Sequence, residues 1–443
     1  MGGLTIADLL RRTVQAQSPG KAKHCILMLL NGGQSQLDTF DMKPGAPDAI
    51  RGPYQPISTS VPGIQICEKL PLLSKLTDRM SIVRSIHHNL LAHNSGAAYA
   101  LSGHSPGTDQ DISPKPTDHP TYGSVISKVL PSPESMPSFV LTPTYLFDMG
   151  FPTPSAGGGW LGKAYDPFPV VRNRMMARSP EWQGKLPIPE ALQLPDAVNS
   201  DRLLARKSLL ESLDGNFENA HRVAGLQILD SHQTKAMQMI TSAKTQAAFD
   251  LSRESGATHD RYGRFEMGQV MLLARRMIEA GVRFVTANAV SNPQNTNLSA
   301  FQIWDTHFDH FRLYNETLLP EFDQSLSALI LDLEERGLLD ETLIVVMGEF
   351  GRTPKIVNVK DGGRDHWSRA YSIQLIGGGI RGGVVYGATD QSAGDVTDFP
   401  VKPDDIAATI FESLGIPHDL ILHDQKGQPH KISEGHPVTA IMS

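Results

Sequence analysis

The chain of 443 residues has few cysteines, no long apolar run and no concentration of basic residues. Its two cysteines, Cys25 and Cys67, exclude a disulfide framework and lack the spacing of a cysteine-rich zinc site. The longest apolar run, residues 25–30, is much shorter than the roughly 18 residues that a membrane-spanning helix requires. We therefore expect no membrane span. With 40 Lys+Arg against 47 Asp+Glu, the net charge is -7, so we expect no nucleic-acid partner either.

The domain organisation is predicted to be simple, because one alternating pattern continues through most of the chain. Arg11 and Arg12 look at first like a twin-arginine export signal, but a polar stretch follows them instead of an apolar one. We therefore interpret residues 1–22 as the remnant of an export or linker segment. Residues 23–443 then form a single domain, in which the charged stretch at about residues 200–255 is a helical insertion.

Short apolar runs alternate with segments of helical periodicity along this domain. The run at residues 343–347 is continuously apolar, as expected for a parallel strand that is covered on both faces. The helical segments carry apolar residues at three- and four-residue steps. This alternation predicts an α/β fold with a large, mainly parallel central sheet and helices on both faces. The predicted strands are residues 25–30, 81–85, 139–142, 283–289, 343–347 and 372–376, and the predicted helices are residues 95–101, 265–280, 322–336 and 404–414.

Three short clusters of carboxylates and imidazoles lie near the expected ends of strands. They contain Asp305 with His307, Glu349 after the strand at 343–347, and His366 beside Asp365. Ligands of open α/β sheets bind beyond the carboxyl ends of the strands, and carboxylates with neutral imidazoles bind divalent cations. The clusters therefore predict a shared metal or anion site, in which Asp365 orients the imidazole of its neighbour His366. The alternative is that each cluster is an ordinary polar loop.

A helix of small residues begins beside two further candidates, His93 and Ser95. A hydroxyl at a helix N-terminus near a cation is activated as a nucleophile, although Ser95 could equally be a helix cap. A histidine at this point could accept a phosphoryl group, act as an acid or base, or bind a metal. Arg352 has the guanidinium fork that suits a phosphate or sulfate, or it forms a salt bridge with a neighbouring carboxylate. His310 is expected to be a bystander.

Taken together, these motifs resemble a known family. The chain is similar to the sulfatase-like family catalogued as domain of unknown function 1501, which itself resembles the alkaline-phosphatase superfamily. The resemblance covers roughly residues 20–440. It is carried by residues 32–41, 304–307, 348–354 and 362–367, with further matches at 262–264 and 272–282.

The resemblance implies an alkaline-phosphatase or sulfatase-like fold and a metal-dependent hydrolase of phosphate or sulfate esters. It implies one or two divalent ions, with zinc as the expected metal and manganese, calcium and magnesium as the alternatives. The implied substrate is a small anionic ester or a sulfated or phosphorylated glycan. The implied location is the periplasm or beyond it, after bacterial export.

Residue by residue, the resemblance assigns Asp305, His307 and His366 to one metal site. Glu349 would belong to a second site, with Asp38 or Asp41 as its early carboxylate. The nucleophile stays open among His93, Ser95 and water, and Arg352 would clamp the anion. If the nucleophile has been lost, the chain is instead a non-catalytic binding or structural protein that keeps a partial metal site.

Overall fold

A computed structural model describes residues 20–133, 135–143, 147–148, 151–171, 238–291 and 304–443, together with Leu186, Pro189 and Leu192. The predicted N-terminal remnant therefore lies outside the described residues up to residue 19, and the predicted helical insertion does so up to residue 237. Within the described ranges, none of the helices combines the length and the apolar composition needed to cross a membrane.

An eight-stranded sheet forms the centre of the described structure, in the order β8-β2-β7-β6-β1-β5-β3-β4. Every neighbouring pair in this order is parallel except the two pairs that contain β7, which runs against β6 and β2. The prediction of a large, mainly parallel sheet is therefore confirmed. The strands are β1 (His24–Leu29), β2 (Met80–Ile86), β3 (Phe139–Thr142), β4 (Phe168–Pro169), β5 (Phe284–Asn288), β6 (Thr342–Met347), β7 (Tyr371–Ile376) and β8 (Val384–Tyr386).

Helices cover both faces of this sheet, as predicted. In β1, Ile26 and Met28 join one apolar core, while Leu27 and Leu29 join the other, because successive side chains of a strand point to opposite faces. The main helices are α1 (His93–Ser102), α2 (Tyr122–Val129), α3 (Glu266–Ala280), α4 (Leu319–Glu335) and α5 (Pro403–Ser413). Side chains of α3 and α4 belong to the first core, and side chains of α1, α2 and α5 belong to the second.

Shorter elements connect the sheet and the main helices. The short helices are Asp48–Arg51, Ala243–Phe249, Gly256–Tyr262 and His310–Leu313, and a π-helical turn, Tyr314–Leu318, leads into α4. The 3-10 turns are Leu73–Arg79, Gly159–Leu161, Lys163–Tyr165, Leu251–Arg253, Leu339–Glu341 and Thr439–Ile441. Five small antiparallel pairs join Pro56–Ser58 to Gln65–Cys67, Phe147–Asp148 to Phe151–Pro152, Gly351–Arg352 to His366–Trp367, Ala388–Thr389 to Val396–Asp398, and Ile421–His423 to Pro429–Lys431.

The chain leaves β1, β2, β5 and β6 at the same edge of the sheet, because these strands are parallel. His366 lies before the antiparallel strand β7 and so reaches this edge as well. The turn after β1 requires glycine at Gly32, which has a φ of 100° and whose Cβ would lie 2.4 Å from the backbone nitrogen of Asp305. This close approach brings the segment after β1 against the segment that carries Asp305.

Candidate metal centre

Three donor atoms form a nearly equilateral triangle at this edge of the sheet. Asp305 Oδ1 lies 3.0 Å from His307 Nε2 and 3.0 Å from His366 Nε2. The two Nε2 atoms lie 3.0 Å from each other. All three side chains are partly exposed.

The triangle fits a divalent ion. Ligand atoms about 2.1 Å from a tetrahedral zinc ion are about 3.4 Å apart, so a small outward movement of the three donors would admit the ion. Two imidazoles and one carboxylate also form a set that leaves coordination positions open. Within the described ranges, His93, Asp305 and His366 offer ligand atoms that all lie within 4.8 Å of one another, so His93 borders the same point.

The other nitrogen of each imidazole is bonded to a fixed acceptor. His307 Nδ1 lies 2.6 Å from Asp365 Oδ1, and His366 Nδ1 lies 2.8 Å from the carbonyl oxygen of Leu91. A ring that donates from Nδ1 presents a lone pair at Nε2. Two such lone pairs 3.0 Å apart repel each other unless a proton or a cation lies between them. Asp365 thus orients His307 rather than its sequence neighbour His366.

His93, the first residue of α1, is held between two carboxylates. Its Nδ1 lies 2.6 Å from Glu349 Oε1, and its Nε2 lies 3.3 Å from Asp305 Oδ2. Burial lowers the pKa of His93, but the two neighbouring carboxylates, Asp305 and Glu349, outweigh burial and raise it to about 10. The two carboxylates thus favour the doubly protonated form of the ring.

Arg352 supplies the positive charge beside the carboxylate of Asp305. Its Nη2 donates to Asp305 Oδ1 over 2.6 Å and also to the carbonyl of Gly32. Burial raises the pKa of Asp305, but Arg352 and the surrounding imidazoles outweigh it and hold that pKa far below the usual range. The guanidinium is fully buried, so the structure does not place it as an open fork at the surface of the site.

Electrostatic effects differ between the two imidazoles of the triangle. When protonated, His307 also donates from Nε2 to Asp305, and this hydrogen bond raises the pKa of His307 against a smaller opposing effect of burial. Burial lowers the pKa of His366, and the nearby charge of Arg352 lowers it further. His307 is thus the more basic of the two.

Glu349 is connected to the triangle through His93, which lies beside Asp305. Its Oε1 and Oε2 accept from the backbone nitrogen of Gly32 over 2.9 Å and 3.1 Å, and Oε1 also contacts His93. The side chain is fully buried. Its contacts suit a residue that orients His93.

Two of the candidate residues, Asp38 and Ser95, have their hydrogen-bond partners elsewhere. Asp38 is fully buried and pairs with Arg364, whose Nε donates to Asp38 Oδ2 over 2.7 Å. Ser95 is fully buried as well, and its hydroxyl donates to the carbonyl of Gln110 and accepts from the Gln110 nitrogen over 3.0 Å. The structure therefore brings together Asp305, His307, His366, His93, Glu349 and Arg352, but not Asp38 or Ser95.

His310 is more than the bystander that we expected. It is fully buried, and its Nε2 lies 3.0 Å from Asp38 Oδ2. Its other nitrogen lies 2.6 Å from Thr306 Oγ1. The four-residue step between Thr306 and His310 was visible in the sequence, but the distant partner Asp38 was not.

Comparisons with known proteins give one family and several weak structural likenesses. A family model described as "Protein of unknown function (DUF1501)" matches residues 22–442. A search of curated proteins found no match. At 12% identity, the PsFucS1 sulfatase from Pseudoalteromonas sp. aligns over 94% of this chain and 72% of its own, with a TM-score of 0.40.

Two further solved structures align with similarly low sequence identities and TM-scores. A phosphonate monoester hydrolase from Silicibacter pomeroyi is 15% identical over 94% of this chain and 76% of its own, with a TM-score of 0.37. A mutant of the alkaline phosphatase PafA is 9% identical over 97% of this chain and 100% of its own, with a TM-score of 0.41. Scores of this size do not assign an activity.

Proposed function

Because the chain belongs to the DUF1501 family, whose model leaves the activity open, we propose its function from its own side chains. We propose that it is a metal-dependent hydrolase of phosphate or sulfate esters. The observation that supports this most is the triangle of Asp305 Oδ1, His307 Nε2 and His366 Nε2, in which both imidazoles are oriented by acceptors at Nδ1.

A divalent ion held by Asp305, His307 and His366 would polarise the ester oxygen and stabilise the negative charge that develops during transfer. We propose zinc, because two imidazoles and a carboxylate with an open coordination position form a known type of catalytic zinc site. We propose a single ion, because Asp38 pairs with Arg364 and Glu349 is bonded to Gly32 and His93.

His93 is proposed as the general acid. Its Nε2 lies beside Asp305 Oδ2, and Glu349 holds the opposite side of its ring. From this position His93 can give its Nε2 proton to the departing ester oxygen, so that the product leaves as a neutral alcohol. Arg352 keeps Asp305 ionised and in place, so we assign it to positioning rather than to a direct clamp on the anion.

The proposed nucleophile is water. Ser95 is a poor candidate because its hydroxyl is buried and bonded to Gln110 as both donor and acceptor. A water oxygen would form a bond to phosphorus or sulfur while the bond from that atom to the leaving oxygen breaks. The leaving oxygen would take the proton from His93, and the proton released by the attacking water would pass to solvent, from which His93 regains its own. Ser95 would serve to anchor the start of α1.

The proposed substrates are small anionic esters or sulfated or phosphorylated glycans, and the proposed location is the periplasm or outside the cell. A second candidate is a non-catalytic protein that binds a metal at the same residues. The observation that favours it is the full burial of Arg352, which leaves the described part of the site without the exposed guanidinium that we expected.

The test combines metal analysis with a hydrolysis screen. The purified chain is loaded with zinc, manganese, magnesium or calcium and assayed on p-nitrophenyl phosphate, bis-p-nitrophenyl phosphate and p-nitrophenyl sulfate. His307→Ala should lose the bound metal and the activity together. His423→Ala changes an exposed histidine in the hairpin Ile421–His423 and should lose neither. Metal uptake without turnover on any ester would favour the non-catalytic candidate, and unchanged metal content in His307→Ala would refute the ligand assignment.

A further inference from the structure

A chain of buried hydrogen bonds lies directly behind the candidate metal centre. Asp38 Oδ2 lies 3.0 Å from His310 Nε2, and His310 Nδ1 lies 2.6 Å from Thr306 Oγ1. All three side chains are fully buried. Thr306 stands between Asp305 and His307 in the sequence, so this chain of bonds ends on the segment that carries two proposed ligands.

The donors and acceptors in this chain follow from elementary chemistry. An ionised carboxylate only accepts hydrogen bonds, so Nε2 of His310 carries the hydrogen that is shared with Asp38. Burial lowers the pKa of His310, which keeps the ring neutral and leaves Nδ1 as an acceptor. The hydroxyl of Thr306 must then donate to Nδ1. The hydroxyl of Thr306 thus donates to His310, and His310 donates to Asp38.

The same buried carboxylate also connects the segment of the third proposed ligand. Arg364 donates from Nε to Asp38 Oδ2 over 2.7 Å, and its backbone nitrogen donates to the carbonyl of Thr306 over 3.1 Å. Arg364 lies two residues before His366. Asp38 therefore connects the segment of Asp305 and His307 to the segment of His366.

The burial pattern shows how the connection acts on the ligands. Thr306 is fully buried, whereas its neighbours Asp305 and His307 are partly exposed, so the three side chains alternate between the interior and the site. Because the side chain of Thr306 is held in the interior, the side chains of Asp305 and His307 are held toward the site. Ser35 donates to the same Asp38 oxygen over 2.5 Å, which completes the buried arrangement.

We propose that Thr306, His310 and Asp38 are positioning residues that set the spacing of Asp305, His307 and His366. This inference rests on the metal centre proposed above, and it assigns these three residues no contact with the ion or the substrate. It predicts that the affinity for the metal depends on a hydroxyl group that lies outside the metal site.

The test replaces the hydroxyl of Thr306 without changing the size of the side chain. In the full chain, Thr306→Val leaves Nδ1 of His310 without its donor, and it should weaken zinc binding by about 10- to 100-fold, measured by competition with a chromophoric chelator. Thr306→Ser restores the hydroxyl and should restore the affinity. Thr77→Val is the matched control, because Thr77 is also fully buried and donates only to the carbonyls of Leu73 and Ser74, so it should leave the affinity unchanged.

Wild-type zinc affinity in Thr306→Val, or an equal loss in Thr306→Ser, would overturn the inference. If the wild-type chain binds no zinc, the proposed metal centre fails separately, and the positioning role is then measured by NMR of the histidine side chains. His310 should be in the Nε2–H form, and Thr306→Val should shift the signals of His307 but not those of the distant His430. Unchanged His307 signals would overturn the inference in that case.

Discussion

At the scale of single residues, the contacts of the second ring nitrogen distinguish the histidines of the site. His307 and His366 have acceptors at Nδ1 and face each other through Nε2, which suits metal binding. His93 has a carboxylate near each nitrogen, which suits a proton donor. The same residue type thus takes two proposed roles within one site.

The roles of His93 and Ser95 can be separated by mutation, although only Asn94 lies between them in the sequence. His93→Ala should retain bound metal and reduce turnover of the best ester from the screen by roughly 10²- to 10⁴-fold, the contribution expected of a general acid. Ser95→Ala removes the acceptor of the Gln110 backbone nitrogen and should cost about 0.5–1.5 kcal/mol of unfolding free energy, as expected for a typical hydrogen bond. Its turnover per bound metal should stay within the wild-type range.

The measurements are steady-state kinetics, metal analysis and urea unfolding on the same preparations. Full activity in His93→Ala would remove His93 from the mechanism. Lost activity in a folded, metal-loaded Ser95→Ala would instead identify Ser95 as the nucleophile and refute the proposed attack by water.

At the scale of secondary-structure elements, a buried carboxylate joins α4 to the 3-10 turn Leu73–Arg79. Asp323 accepts from the backbone nitrogens of Leu72 and Leu73 over 2.9 Å and 2.8 Å, which are orphan donors at the start of that turn. Burial raises the pKa of Asp323 to about 6 against the opposing effect of these two bonds. The contact therefore depends on pH.

The direction of this pH dependence follows from the protons that the folded and unfolded chains bind. Between an ordinary pKa of 3.8 and about 6, the folded chain keeps this proton while the unfolded chain has lost it. The contribution of Asp323 to the free energy of unfolding is therefore greatest below pH 3.8. It declines by up to about 3 kcal/mol as the pH rises to about 6. Asp323→Asn should flatten this part of the pH dependence, measured by urea unfolding between about pH 4 and pH 7. Asp340→Asn, at an exposed position, should leave the slope as it is, and a wild-type slope in Asp323→Asn would contradict the account.

The elements also show which parts of the structure local patterns can predict. The central strands β1 and β6 could be predicted, because strands buried on both faces are continuously apolar. The start of α1 was predicted two residues late, at Ser95 instead of His93. The reason is that no side chain of α1 caps its start; Asp109 instead accepts from the backbone nitrogens of Leu91 and Ala92, and this contact crosses a loop.

At the scale of the whole molecule, the parallel sheet explains why distant segments meet in one site. The strands before Glu349 and Asp305 end at the same edge, so a site at that edge could be expected from the alternation of strands and helices. The pair of Asp38 and Arg364 could not, because it joins residues 326 positions apart and neither carries a local signal of its partner. The direction of β7 was hidden for the same reason, since an apolar run does not record the orientation of a strand.

The most direct test of the central claim is to locate the bound ion. Crystals of the zinc-loaded full chain, measured at the zinc absorption edge, should show one anomalous peak about 2.0–2.2 Å from Asp305, His307 and His366 donors. The peak should disappear in His307→Ala. A peak bound by other residues, a second ion of equal strength at Asp38, or an absence of zinc in the wild-type crystals would contradict the claim.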